Sequence, residues 1–162
     1  LGGAGKAVAA YISHAIGSAG NLSLAVRSPS DLTEYGAKIG ATAVGWPPSI
    51  DLFKDCDVLI NCTGVGYGDL SDYSPLADLD NGNESSTKQL LGVMPKSAVV
   101  YDIIYDPSPT KLLGLAELQG LQILDGTIMN LEQAVLGFNY AVGGVSSIDR
   151  IRSAMETAKS NL

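Results

Sequence analysis

Leu1-Gly2-Gly3-Ala4-Gly5-Lys6-Ala7-Val8-Ala9-Ala10 decides how this chain is read, because a glycine cluster here runs directly into an Ala-rich helical pattern. Such a junction is a strand-to-helix turn. Small residues let the backbone approach a ligand, and the free N–H groups at the helix start cradle a pyrophosphate. In the pattern G-x-G-x-x-G, Gly2 and Gly5 take the second and third glycine positions, and the first falls one residue before Leu1. Small-residue helix starts are common, so the other contacts of a dinucleotide site have to come from later segments.

The totals narrow the class. A chain of 162 residues with 46% hydrophobic and 17% charged residues fits one domain with an ordinary core and argues against disorder. A net charge of −7 repels a polyphosphate backbone, so no nucleic-acid partner is expected, although an acidic domain still binds a phosphate locally. Cys56 and Cys62 lack metal-ligand spacing and are too few for a disulfide scaffold, which reads as reduced thiols in a cytoplasmic protein. No apolar run reaches the length of a membrane span, and no membrane partner or metal is expected.

Working outward from the glycine turn, Val8, Tyr11, Ile12, Ala15 and Ile16 recur at helical spacing over Lys6 to Ile16, and Gly17 and Gly20 stop the helix. Leu22 to Val26 follows as a strand, which makes the segment a βαβ crossover in size. His14, within that helix, reads as an exposed or capped histidine. The strand ends in Arg27-Ser28-Pro29-Ser30, where a dinucleotide fold meets the adenosine ribose; an acid there selects NAD and an Arg accommodates the 2′-phosphate of NADP. One hydrogen bond to a charged group contributes about 1.5–3 kcal/mol, so Arg27 could give about 10- to 100-fold preference. Read locally, a solvated arginine at a loop edge fits Arg27 equally well.

Asp31 to Ile39 reads as a modest helix and Ala41 to Val44 as a strand, with Trp46-Pro47-Pro48 marking a loop and a brief helical stretch around Leu52 and Phe53. Asp57 to Thr63 is a continuous apolar run, as expected for a parallel strand covered on both faces. Its carboxyl end turns into Thr63-Gly64-Val65-Gly66, the place where open α/β sheets put ligands; Asn61 could equally tie that loop together. Tyr67 to Thr87, with Asp69, Asp72, Asp78, Asp80 and the Asn81-Gly82-Asn83-Glu84-Ser85-Ser86 run, reads as a mobile surface excursion. Ala98 to Ile104 is a further strand, Thr110 an N-cap for a helix that Gly120 ends, and Leu121 to Leu124 a last strand. A helix from about Ile128 to Phe138 follows, with Met129, Leu131 and Ala134 among its apolar residues. Ser146 and Asp149 resemble a capping box, and Ile148, Ile151, Met155, Ala158 and Leu162 form an amphipathic stripe on a final helix over 147–162.

Taken together, these segments resemble the cofactor-binding domain of the shikimate dehydrogenase family, the quinate/shikimate dehydrogenase group, over residues 1–144. Leu1-Gly2-Gly3-Ala4 resembles the end of the family's G-x-G-G-A loop, and Val26-Arg27-Ser28 its N-R-T stretch. Ile60 to Tyr67 resembles I-N-A-T-P-x-G-M, and Asp102, Tyr105, Pro107 and Thr110 resemble D-x-x-Y-x-P-x-x-T. Asp125-Gly126 through Met129, Gln133 and Phe138 resembles D-G-x-x-M-L-x-x-Q-A followed by F. The chain departs from the family at Val26, Gly64, Tyr67 and Asn130, which stand for Asn, Pro, Met and Leu.

The resemblance implies a Rossmann-like α/β domain, a doubly wound parallel sheet over residues 1–162 that binds NADP. Gly2, Gly3 and Ala4 then hold the pyrophosphate, and Arg27 and Ser28 the 2′-phosphate. Thr63, Gly64 and Val65 line the cleft, Ile103 and Gly126 meet the nicotinamide half, and Met129 packs near its ring. Tyr105 and Gln133 reach across to a cyclic hydroxy or keto acid. In the family an N-terminal domain carries the Lys and Asp that handle the proton, so no catalytic residue is assigned in this chain, which alone is expected to be inactive. The strand feeding the first turn is also expected upstream: its loss leaves two ladders unpaired, at about 1–3 kcal/mol for each orphaned buried group. The expected activity is 3-dehydroshikimate reduction, with a quinate or other polyol-acid dehydrogenase, or a non-catalytic NADP(H)-binding module, as alternatives.

Overall fold

In the computed structural model, which describes residues 1–77, 84–144 and 146–159, helices and parallel strands alternate along the chain. Asp78, Asp80 and the Asn81-Gly82-Asn83 part of the polar excursion lie outside the described residues, as does Leu162 of the final stripe.

The order is α1 (Gly3–Ile16), β1 (Leu22–Val26), α2 (Thr33–Ile39), β2 (Ala41–Gly45), α3 (Asp51–Lys54), β3 (Val58–Asn61), α4 (Ser85–Gly92), β4 (Val99–Asp102), α5 (Lys111–Leu118), β5 (Gln122–Leu124), α6 (Thr127–Ala141) and α7 (Ile148–Lys159). All strand pairs are parallel, as short βαβ crossovers require. They form two sheets: β1-β2, with Leu24 opposite Ala43, and β3-β4-β5, with Ile60 opposite Tyr101 and Val100 opposite Ile123. This is the doubly wound parallel class expected, divided in two where the strand expected upstream of the glycine turn would pair. Among the described residues β1 has one strand neighbour and β3 has one, so each presents an unpaired ladder.

That arrangement also changes the strand at Asp57 to Thr63. It is parallel as expected, but Val58 is 52% exposed and Leu59 and Ile60 are half-buried, because β3 is an edge of its sheet.

The three-stranded sheet holds the larger core. Phe53, Leu76, Leu90, Leu91, Met94, Val100, Leu112, Leu113, Leu115 and Leu121 pack together there, with α4 and α5 laid against each other and α5 against β4 and β5. Helix α4 begins in sequence expected to belong to the polar excursion, which it overlaps over residues 85–87. Its start, Ser85-Ser86-Thr87, reads as a loop, but Ser86 Oγ donates to Leu76 O (2.9 Å) and the buried Thr87 Oγ1 donates to Ser74 Oγ (3.0 Å), which anchors the first turn. Glu84 pairs with Lys88 (2.9 Å) and Lys111 (2.5 Å), tying α4 to α5. The two-stranded sheet has a smaller cluster of Ala9, Leu24 and Leu32, closed by Leu22, Val26, Tyr35 and Ile39. The Ser13 hydroxyl donates to Ile39 O and Tyr35 Oη to Lys6 O (2.6 Å), so α1 and α2 are joined by polar as well as apolar contacts.

Helices α6 and α7 pack on each other. Val135 is the buried residue of α6, whereas Ile128 is 64% exposed, Ala134 is exposed, and Met129 and Leu131 are half-buried. In α7 only Ile151 of the stripe is buried; Met155 is half-buried and Ile148 and Ala158 are exposed. Arg152 grips Glu132 through Nε and Nη2 (2.6 and 2.9 Å) and Asp149 through Nη1 (2.7 Å). The helix start differs by one residue from the expected capping box: Ser147 Oγ, not Ser146, accepts from Arg150 N (3.3 Å).

Candidate cofactor site

The glycine turn becomes the first turn of α1. Gly2 is extended (φ −75°, ψ 179°), its carbonyl accepts from Lys6 N (3.0 Å), and no side chain caps the helix. The earliest N–H groups of a helix lack intrahelical acceptors, so they are available to an anion. Gly2, Gly3 and Ala4 are exposed, and a Cβ at Gly2 or Gly3 would meet nothing within 4 Å: the cradle is open. Gly5 is different, being buried with its ideal Cβ position 3.4 Å from Cys62 Cβ. Leu1 Cδ1 lies nearer still, 2.6 Å from that position, and the start of α1 sits beside the residue that follows β3. Burial and the nearby Asp102 push the Cys62 thiol up to about 11, so it stays protonated there.

Arg27 and Ser28 stand at the end of β1, in the other sheet. Both are exposed, and among the described residues no side-chain hydrogen bond or ion pair is shown for Arg27. A free guanidinium at a strand end suits a phosphate group, which it meets with two parallel N–H donors. His14 is exposed in the last turn of α1 and joins nothing at this site.

The ends of β3 and β4 are organised by buried polar side chains. Asn61 Nδ2 donates to Val65 O (3.1 Å) and to Asp102 Oδ1 (3.0 Å), while its Oδ1 accepts from Thr63 N (2.9 Å) and Thr63 Oγ1 (2.7 Å). Thr63 Oγ1 in turn accepts from Val65 N (3.1 Å). Asp102 also accepts from Ile104 N (3.1 Å) and from Thr110 Oγ1 (2.8 Å), and Thr110 caps α5 by accepting from Leu113 N (3.4 Å). Burial raises the Asp102 carboxyl above its ordinary range, with the donors from Thr110, Ile104 and Asn61 opposing that rise.

From this cluster the backbone leads to α6. Ile103 N donates to Asn61 O (3.2 Å), and Gly126 N donates to Ile104 O (3.0 Å). Gly126 lies so close to β4 that a Cβ would sit 1.9 Å from Ile103 O; only glycine fits without a shift. Asp125 Oδ1 accepts from Thr127 N (3.0 Å) at the start of α6, and Asp125 Oδ2 accepts from Ser108 Oγ (2.6 Å).

The structure therefore brings Thr63, Gly64, Val65, Ile103 and Gly126 to one place, with Met129 on the first turn of α6. Tyr105 is 51% exposed just beyond β4. Gln133 is exposed one turn after Met129, where Nε2 donates to Asn130 Oδ1 (2.8 Å). No contact places Tyr105 and Gln133 together. By sequence Asn61 fits a ligand contact or a loop tie equally, and the hydrogen bonds make it a loop tie. Asp102 and Thr110 were visible in a motif, but what joins them to Asn61 is cross-strand pairing, which a linear reading does not display.

No family model matches the chain. Curated relatives do. A shikimate dehydrogenase (NADP(+)) of Microcystis aeruginosa is 27% identical over 96% of this chain and 53% of its own length. One of Methanococcoides burtonii is 31% identical over 96% of this chain and 52% of its own. The chain thus spans about half the length of the curated relatives it matches. Among solved structures, shikimate 5-dehydrogenase of Listeria monocytogenes, in complex with shikimate and NAD, superposes with a TM-score of 0.69 at 22% identity, covering 95% of this chain and 53% of that one. Ligand-free 5-ketofructose reductase of Gluconobacter sp. gives 0.64 at 25% identity, covering 97% and 53%. The likeness to the Listeria enzyme establishes the α/β fold.

Proposed function

Because this chain belongs to the shikimate dehydrogenase family, we propose that it is the NADP-binding part of a dehydrogenase that interconverts 3-dehydroshikimate and shikimate. The observation that carries this reading is the open, uncapped start of α1 lying beside the tied ends of β3 and β4. When bound, the dinucleotide supplies a hydride for the ring ketone. The chain's own residues bind and orient it. Backbone N–H groups at Gly2, Gly3 and Ala4 hold the pyrophosphate, and Arg27 with Ser28 holds the 2′-phosphate. Thr63, Gly64, Val65, Ile103, Gly126 and Met129 form the wall for the nicotinamide half.

Tyr105 and Gln133, both exposed, offer a hydroxyl and an amide to the substrate. The new alkoxide needs an acid within hydrogen-bond reach. We assign that acid to none of these residues; the family resemblance places it in an N-terminal domain. The free thiols of Cys56 and Cys62 suit a cytoplasmic setting.

Titration with NADPH and NADH tests the cofactor assignment. NADPH should bind about 10- to 100-fold more tightly, and Arg27→Ala should abolish that preference by weakening NADPH alone. Equal affinities, unchanged by the substitution, would overturn it. A second reading, a quinate or other polyol-acid dehydrogenase, draws on Gly64 and Tyr67, which replace the family's Pro and Met in the nicotinamide loop. A screen of cyclic hydroxy acids for turnover separates the two readings.

A further inference from the structure

Asn61 and Asp102 close β3 and β4 and face each other in register across the ladder. Neither belongs to the residues proposed to touch the dinucleotide. Asn61 uses both amide hydrogens and both acceptor positions of its side chain within the cluster, so its orientation has no freedom left. Asp102 is fully buried, and its side-chain partners in the cluster are neutral: an amide, a hydroxyl and a backbone N–H.

A buried carboxylate with only neutral donors is an expensive way to gain stability. Well-packed apolar side chains often serve as well or better, because taking a charge out of water carries a large penalty. What such a cluster supplies is a single backbone arrangement, since any other leaves a buried polar atom unpaired. Here the groups being arranged are the loop after β3, the strand end after β4 and the first turn of α5.

From the conjunction of these hydrogen bonds we propose that Asn61 and Asp102 are positioning residues that hold the Thr63–Val65 loop, the Ile103–Ile104 strand end and, through the Ile104–Gly126 hydrogen bond, the start of α6 in the one relative placement that receives the nicotinamide half of the dinucleotide. Gly66, at φ 111°, packs over the cluster with its ideal Cβ position 3.2 Å from Ile104 Cδ1 and 3.8 Å from Asp102 Oδ2, and so closes the loop against it. The adenosine side depends on none of these bonds, because Arg27 and Ser28 belong to the other sheet. The inference rests on the dinucleotide reading above.

The test compares two probes on the same chain by calorimetry: NADPH, and 2′-phospho-ADP-ribose, which lacks the nicotinamide. Asn61→Leu removes the whole fan of hydrogen bonds, and Asp102→Asn keeps size and shape while removing the charge. Asn61→Leu should weaken NADPH at least tenfold and 2′-phospho-ADP-ribose less than twofold, with Asp102→Asn showing the same asymmetry at smaller size. If Asn61→Leu does not fold, Asp102→Asn carries the comparison. Equal losses for the two probes in a folded variant would mean a general structural role and overturn the proposal, as would unchanged NADPH binding. Wild-type binding of 2′-phospho-ADP-ribose as tight as NADPH overturns it too, while leaving the cofactor assignment standing. Failure of the wild type to bind either probe defeats both.

Discussion

The two sheets of this molecule solve different problems. The β1-β2 sheet has a small apolar cluster around Leu24, and its strand end leaves Arg27 and Ser28 exposed. The β3-β4-β5 sheet has a large core around Leu91, Leu112 and Val100, and its strand ends are bound together by Asn61, Asp102 and Thr110. A highly charged phosphate can be recognised by exposed groups at a strand end, because charge-assisted hydrogen bonds are strong without a buried surround. A flat, weakly polar ring needs a fixed wall. Substitutions at Arg27 or Ser28 are therefore expected to leave the fold intact, whereas substitutions at Asn61, Asp102 or Gly126 are not.

The sharpest way to break that comparison is in the larger core. Leu112 is 1% exposed, and Leu112→Ala should cost about 3–5 kcal/mol, read as a lowered urea midpoint with an unchanged slope. A loss near zero would mean that the β3-β4-β5 half is not the stable part of the molecule. Gly126→Ala comes next. Its Cβ would collide with the Ile103 carbonyl, so a loss of about 1–3 kcal/mol is expected together with weaker NADPH binding.

Gly64→Ala sharpens the contrast within the same region, since nothing lies within 4 Å of its Cβ position. Stability should stay within about 0.5 kcal/mol, and any effect on NADPH would then report the ligand surface alone. The smallest effect concerns pH. Hydrogen bonds from Lys111 and Lys88 hold the Glu84 carboxyl down to about 2, below its ordinary value of 4.5. A depressed carboxyl contributes stability that is complete above its ordinary range and disappears as pH falls towards the depressed value. Urea midpoints measured from about pH 6 to about pH 2 should decline less steeply in Glu84→Gln than in the wild type. Parallel declines would show that the α4–α5 tie contributes nothing.

Much of the fold was legible in the sequence. Leu22–Val26 is a strand with the expected bounds, Thr110 does cap the helix that follows it, and Gly17 ends α1 at φ 52°. These features are local: period, cap and left-handed glycine act over a few residues, so the chain displays them directly. The start of α4 was not legible, because a Ser-Ser-Thr run favours caps and turns until tertiary contacts anchor it, here through Leu76 and Ser74. The exposure of Ile128 and Val58 was not legible either, since apolar character says what a residue prefers and not whether a neighbour covers it.

For the site, the sequence by itself determined the candidates: an open glycine turn, an arginine after the second segment, and polar or glycine residues after the later strands. It also pointed to the shikimate dehydrogenase family, in keeping with the relatives found. Only the tertiary structure decided how the candidates are held. Asn61 and Asp102 are 41 residues apart and meet because β3 and β4 pair in register, and Gly126 reaches Ile103 because α6 starts against the end of β4. Periodicity and capping are written within a few residues of chain, whereas strand pairing and burial join residues far apart in it, so contacts of that kind come into existence only when the chain is folded.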